Sequence, residues 1–170
     1  MYYQVKQQYI KMLNNLSNIL DKVIVFSEEK KIEPEVLLNS RLSPDQFNFI
    51  KQIQVACDGA KLGMARISGK ENEAPKYEDN EKTVDELKNR IKLTIDYLET
   101  LKEDDFKNLS ERKIVYPFMK DSYVTAEESL IEFSIPNFYF HVTTAYSILR
   151  HNGMNIGKFD YIGSVPFKKL

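Results

Sequence analysis

The chain is poor in the residues from which chemical centres are usually built. It has one cysteine, two histidines and no tryptophan in 170 residues. A single thiol, Cys57, excludes an internal disulfide and any zinc cluster made of cysteines. It lies in the apolar run Val55-Ala56-Cys57, which suits a buried structural thiol better than a nucleophile. An excess of one charge is also missing. Lysine and arginine number 24 against 25 acidic residues, a net charge of −1, so no strong field draws the protein to nucleic acid or to an anionic membrane. The basic pairs Lys30-Lys31 and Lys168-Lys169 are short and isolated, as on a solvated surface. No apolar run approaches the roughly 20 residues needed to span a bilayer. The start, Met1-Tyr2-Tyr3-Gln4-Val5-Lys6, has no signal-peptide apolar core. The cytoplasm is the expected compartment.

Signature motifs are absent as well. Gly153-Met154-Asn155-Ile156-Gly157-Lys158 has the wrong spacing for a phosphate-binding loop and lacks a following Ser or Thr. No GxSxG nucleophile elbow occurs. The ten tyrosines and ten phenylalanines are not interleaved with a basic stripe, which argues against single-stranded nucleic acid as a ligand.

What the sequence does carry is helical periodicity. Val5, Tyr9, Met12, Leu16, Ile19, Val23 and Phe26 recur at steps of three and four, predicting a helix from Tyr3 to Glu28. A short helical turn is expected over Pro34 to Leu38. Ser43 as cap, Pro44 as first helical residue and Asp45 near the positive end of the dipole predict the start of a second long helix. Its inward stripe is Phe49, Ile53, Ala56, Cys57, Ala60, Met64 and Ile67. Gly59 and Gly63 adjoin Ala56 and Ala60, so another backbone can approach closely there. A glycine inside a helix costs about 1 kcal/mol relative to alanine, so this pair points to tight packing or to a recess. Residues Ser68 to Asn80 read as a polar connecting loop, long enough for a crossing connection. Thr83-Val84-Asp85-Glu86 is a capping box that opens a third helix carrying Val84, Leu87, Ile91, Thr94, Ile95, Leu98 and Leu101. Ile114 to Thr125 suggests a small edge hairpin, with Met119-Lys120-Asp121-Ser122 at its turn and Pro117 limiting its pairing. Thr125-Ala126-Glu127-Glu128 is a second capping box. The last helix should kink or restart at Pro136 and stop at Asn152-Gly153, leaving an irregular tail from about Gly153. These elements predict one all-α domain over residues 1–170, a four-helix bundle with a small β-hairpin.

The segment Pro136-Asn137-Phe138-Tyr139-Phe140-His141 holds the one attractive polar group of the core. At roughly 100° per residue, Phe138, Val142, Ala145 and Leu149 form the inner stripe. His141 lies on its inward flank, Thr144 further round, and His151 and Phe140 point away. His141 is a candidate metal ligand or general base. Its alternative role is a core imidazole bonded to Asn137, Thr144, a tyrosine or a backbone carbonyl. The two histidines are about 15 Å apart along the axis by the helical rise, too far to share an ion. Asp58 is the nearest carboxylate by sequence but points away from the apolar stripe. A ligand recess beside Gly59 and Gly63, lined by Cys57 and His141, is a further expectation. Three consecutive aromatics cannot all face one core, so one of them must meet another element or a second subunit.

Several stretches together resemble a known family. They are Arg41-Leu42-Ser43-Pro44-Asp45, Gln52 to Lys61, Pro136 to Tyr146 and Ile148-Leu149-Arg150-His151-Asn152-Gly153. From Tyr3 to Gly163 the chain resembles the domain-of-unknown-function family 1993, in the DinB/YfiT-like superfamily of four-helix bundles. The resemblance implies a DinB-like bundle with a Pro-kinked last helix. It implies little about activity, because the family is uncharacterised. Metal-dependent thiol transferases of the superfamily look to use three histidines, one from the second helix and two, four residues apart, from the last. Mapped here, His141 is the remaining candidate ligand; Gly59 stands where members of the family often carry a histidine, and the residue four after His141 is Ala145. The expectation is therefore a bundle without an intact metal triad and without a cofactor. It would be a homodimeric small-ligand or stress-related binding protein, with Cys57, Gly59, Gly63, Asn137 and Thr144 around the pocket and no nucleic-acid or membrane partner. The alternative is a metal- or thiol-dependent transferase with a divalent ion such as zinc or nickel on His141. No complete catalytic constellation is visible, so enzymatic activity is left open.

Overall fold

The computed structural model describes residues 2–107, 109, 111–118 and 121–169. Helix α1 spans Tyr2–Lys30, and α2 is the short Pro34–Leu38. Both arise where hydrophobic spacing and a first-turn proline place them. The inward stripe of α1, from Tyr9 to Val23, is fully buried, while Val5 and Phe26 pack at its margins. Lys6 is also buried; its Nζ donates to the Leu101 carbonyl at 2.7 Å, closing the end of the neighbouring helix.

Helix α3 spans Phe49–Ser68 and begins later than Ser43-Pro44-Asp45 suggested. Asn48 is the cap, accepting from the Lys51 amide. The Ser43 hydroxyl is instead bonded to the Asp45 carboxylate at 2.7 Å in a separate turn. A local Ser–Asp bond of this kind competes with helix initiation. The seven apolar and small residues assigned to the inward stripe are all fully buried. Gly69 ends the helix in the left-handed region (φ 74°), the usual glycine stop.

Helix α4 spans Val84–Thr100 behind the expected capping box, with Thr83 and Glu86 each bonded to the other's backbone amide. The loop before it contains one 3-10 turn, Glu71–Glu73. It does not cross the bundle, because α3 and α4 pack side by side. With the last long helix, α6 (Ile135–His151), the spatial order is α1–α4–α3–α6, so it is the passage from α1 through α2 to α3 that skips a neighbour.

Strands β1 (Lys113–Ile114) and β2 (Val124–Thr125) pair antiparallel, Lys113 with Thr125 and Ile114 with Val124. Pairing stops at Ile114, three residues before Pro117, which cannot donate to a ladder. At the expected turn, Met119 and Lys120 lie outside the described residues. Thr125 and Glu128 form the second capping box on α5, Ala126–Glu128. The chain then widens into a π turn, Ser129–Ser134, before α6, Ile135–His151. The α-helix restarts at Ile135 with Pro136 in its first turn, as the sequence suggests. The adjustment falls one turn earlier, where the Ile135 amide reaches back five residues to the Leu130 carbonyl. A π turn inserts one extra residue and rotates the side-chain faces around it. The tail is more ordered than expected. It forms α7, Lys158–Ile162, tied to α1 by Asn15 Nδ2 donating to the Tyr161 carbonyl at 2.9 Å and by Lys22–Asp160 at 2.6 Å. Among the described residues no helix is long and apolar enough to cross a membrane.

Candidate functional site

Helices α3 and α6 share the most extensive helix–helix contact among the described residues, and the two glycines explain how. A Cβ placed on Gly63 would meet Ser134 Cβ and Oγ at 3.1 Å, and one on Gly59 would meet Asn137 Nδ2 at 3.3 Å. The small α3 surface therefore lets the π turn and the first turn of α6 settle against it. Beside this contact lies a cleft of about 320 Å³. Its floor is Gly59, Leu62 and Gly63, and its polar groups are Asp58, Arg66, Ser134 and Asn137.

The far wall is aromatic. Tyr116 stacks on Phe118 at 5.2 Å and meets Phe133 at 5.0 Å, while Phe118 and Phe133 are 5.9 Å apart. Tyr116 is buried and anchored through its hydroxyl to Ser129 Oγ at 2.6 Å. Phe118 and Phe133 stay 68% and 41% exposed. The π turn is what brings Phe133 and Ser134 to the same opening, one as wall and one against the floor. The hydroxyl of Ser134 and the amide of Asn137 make no side-chain hydrogen bond to another described residue, although Ser134 is otherwise buried.

The expected site residues do not all converge here. Gly59, Gly63 and Asn137 line the cleft. Cys57 does not. It is fully buried on the α4 side, where burial pushes its thiol up to about 12 despite a hydrogen bond with Thr94. Thr144 also stays out, its hydroxyl donating back to the Phe140 carbonyl at 2.7 Å. A recess beside the glycines is present, but hairpin and π-turn residues line it in place of Cys57 and His141.

His141 is buried at the other end of the α3–α6 contact, and its partner is none of those anticipated. Nδ1 lies 2.7 Å from Gln52 Oε1, while Gln52 Nε2 donates to the Phe47 carbonyl at 3.1 Å. That second bond fixes the amide orientation, so Nδ1 must carry the proton and Nε2 the lone pair. Burial holds the ring's pKa below the usual histidine value. Phe140 packs edge-on at 5.2 Å and Phe47 lies near-parallel at 6.4 Å.

The residues present do not fit the superfamily's metal. Gly59 and Ala145 offer no donor, and one nitrogen of His141 is committed to an amide. Among the described residues no three His, Cys, Asp or Glu side chains are placed to hold a metal ion.

A buried ionic cluster adjoins the cleft through Asp58, and the sequence reading missed it. Arg90, only 2% exposed, pairs with Asp58 (3.1 Å), Asp79 (2.9 Å) and Glu81 (3.0 Å). Lys61, equally buried, holds the other Asp58 oxygen at 2.8 Å and stands 3.8 Å from the centre of the Tyr77 ring. Gln54 donates to Glu81 at 2.8 Å, and Lys51 pairs with Asp79. The cluster straps the loop before α4 onto α3. One signal was available: Arg90 sits between Leu87, Ile91 and Thr94, on the inward stripe by helical period.

Comparison with known proteins agrees with this architecture. The family model described as Domain of unknown function (DUF1993) matches residues 1–162, and the chain belongs to that family. The chain is similar to a DinB family member protein from Shewanella denitrificans, solved as a crystal structure at 1.83 Å resolution. The two share 50% identity over 97% of this chain and 93% of that one, with a TM-score of 0.95. The protein is thus a DinB-like helical bundle of a family without an assigned function. No curated protein matches the chain.

Proposed function

We propose that the protein binds a small organic ligand in the cleft between α3, the π turn and the hairpin, and does so without a metal. One observation carries this reading: an exposed aromatic wall faces a glycine floor beside a hydroxyl and an amide with no side-chain partner among the described residues. Binding sites combine apolar walls with a few converging polar groups in this way, and the volume of about 320 Å³ suits a compact molecule. Cleft and floor depend on each other, since any larger residue at Gly59 would fill the opening.

The test is a fragment screen followed by amide NMR shifts. Binders should perturb Gly59, Gly63 and Asn137 together, and Gly59→Leu should abolish the effect. Phe118→Ala, on a mostly exposed ring, should weaken binding with no loss of fold. Fragments that perturb only the surroundings of His141, or a Gly59→Leu protein that binds as before, would overturn the reading. The transferase alternative is tested on untagged protein by elemental analysis. Stoichiometric zinc or nickel that disappears in His141→Ala would replace the proposal with metal chemistry.

The exposed rings of Phe47 and Phe140, 50% and 55% accessible, support self-association as a homodimer. Each packs on the His141 ring, and exposed rings near one another favour a protein contact.

A further inference from the structure

We infer that the cleft selects a planar apolar carboxylate, with Arg66 as the group that takes its anionic end. The inference rests on the binding reading above and adds the charge of the ligand to it. Arg66 and Asp58 both line the cleft, eight residues apart on α3 and hence about 12 Å apart along the axis by helical rise. Their states differ. Asp58 is ion-paired with Lys61 at 2.8 Å and with Arg90 at 3.1 Å; its Oδ1 makes no directed hydrogen bond among the described residues, but two buried cations stand against its charge. Asp58 therefore presents a compensated carboxylate, a poor partner for a ligand amine.

Arg66 is only partly used. Its Nε donates to Glu71 Oε1 at 2.9 Å, and that is the one side-chain bond it makes among the described residues, so neither terminal nitrogen is engaged there. The guanidinium lies 5.0 Å from the centre of the Tyr116 ring, which fixes it at the end of the aromatic wall. A planar, pre-positioned fork of two N–H donors matches a carboxylate geometrically, which a point charge does not. Between the two ends, Phe118 and Phe133 offer ring faces, and the Gly59–Gly63 floor gives a flat body room to lie against them. Ser134 and Asn137 stand at mid-length, where substituents on that body can form hydrogen bonds.

The probes are phenylacetate, phenylacetamide and phenethylamine, which share one ring and differ in charge. Titration by protein NMR should show phenylacetate binding about ten-fold tighter than the amide, with the amine weakest. A ten-fold gap is what one charge-assisted pair at a partly buried site supplies. Arg66→Gln should bring phenylacetate down to the amide's affinity. Glu71→Gln is an independent arm on an exposed residue. Glutamine can still accept from Nε but carries no charge, so the substitution removes the anion that competes for the guanidinium and should tighten phenylacetate several-fold. Equal affinity for carboxylate and amide, with both mapping to Gly59, Gly63 and Asn137, would overturn this inference and leave the binding reading standing. Preference for the amine, or a Glu71→Gln protein that binds phenylacetate no better, would also overturn it. Failure of all three probes to perturb the cleft in the millimolar range would remove both.

Discussion

Alanine at Gly59 and alanine at Gly63 should have opposite effects on stability, although both glycines sit in the middle of α3 and differ by one helical turn. In either case the helix gains about 1 kcal/mol, because alanine loses less backbone entropy on folding than glycine. The difference lies across the interface. At Gly59 the new methyl would sit 3.3 Å from the terminal amide nitrogen of Asn137, a side-chain end that no described residue holds and that can swing toward the cleft. Most of the helical gain should survive, giving a net stabilisation of about 0.5–1 kcal/mol. At Gly63 the methyl would sit 3.1 Å from Ser134 Cβ as well as Oγ. A Cβ moves only with its backbone, and that backbone belongs to the π turn packed against α3. Overpacking of this kind costs about 1–3 kcal/mol, so the net result is a loss of up to about 2 kcal/mol. For a chain of this size a change of 1 kcal/mol moves the melting midpoint by about 2–4 °C. Calorimetry should place Gly59→Ala one to several degrees above the parent and Gly63→Ala several degrees below it. Two variants that shift in the same direction would refute the claim that Ser134 is held rigidly and Asn137 is free.

Arg90→Met should destabilise the fold by about 2–3 kcal/mol in urea titration, less than the 3–5 kcal/mol typical of a broken buried pair, because Asp58 and Asp79 keep side-chain exposures of 35% and 37% and can rehydrate. Stability should fall in two steps as the solution is acidified. Burial holds His141 below its ordinary value of 6.5, so its contribution is complete above that pH and declines below it. The larger loss comes lower. Hydrogen bonds from Lys70 and Lys22 hold Asp105 and Asp160 below the usual carboxylate range, and at Asp79 the Lys51 and Arg90 partners outweigh the upward push of burial. The contributions of these three are fully present above about pH 4 and vanish as pH drops through the lowered values. Nitrogen-15 spectra of the His141 ring at neutral pH should show protonated Nδ1 and bare Nε2; the reverse tautomer would contradict the Gln52 arrangement, and Gln52→Ala should release that preference. Light scattering at high micromolar concentration should report a dimer that Phe140→Glu dissociates; a monomer from the parent chain removes the self-association proposal.

The parts of the fold legible in the sequence are those governed by local chemistry. The buried stripes of α1, α3 and α4 follow from apolar spacing alone, and both Thr–Glu capping boxes need only four consecutive residues. The start of α3 was misread because Ser43-Pro44-Asp45 has the right residue types for a cap. Whether Ser43 caps a helix or closes a turn on Asp45 depends on where Phe49 must be buried, which is a tertiary matter. The π turn is less visible still. Pro136 marks a lost hydrogen bond, but nothing in the sequence says that the backbone will absorb it one turn earlier. Consequently the faces of Phe133 and Ser134 cannot be obtained by counting 100° steps. The aromatic wall escaped for a similar reason, since Tyr116, Phe118 and Phe133 come together only after the hairpin folds over α3.

The two ends of the α3–α6 contact differ in what folding leaves unused. At one end His141 is committed: one nitrogen is bonded to Gln52, whose amide is bonded in turn to Phe47, so the ring links α6 to the segment leading into α3. Such a chain can be satisfied with no ligand at all, which is why a buried imidazole is weak evidence of chemistry when its partners are amides. At the other end the polar atoms are left over after folding. Ser134 and Asn137 have no side-chain partner among the described residues, and Arg66 offers two unused donors beside exposed rings. Donors and acceptors that protein partners leave unused around one opening are free to meet a ligand; the fully buried side-chain atoms without a hydrogen-bond partner among the described residues, on Tyr9, Ser27, Asp58, Tyr77 and Arg90, belong instead to the core and the ionic cluster. The glycines belong to that same end. Leaving them in mid-helix costs about 2 kcal/mol of helix propensity for the pair, and at Gly59 the only neighbour within contact range among the described residues is a movable amide. Packing alone therefore explains Gly63 but not Gly59, and a cleft that must remain open accounts for both.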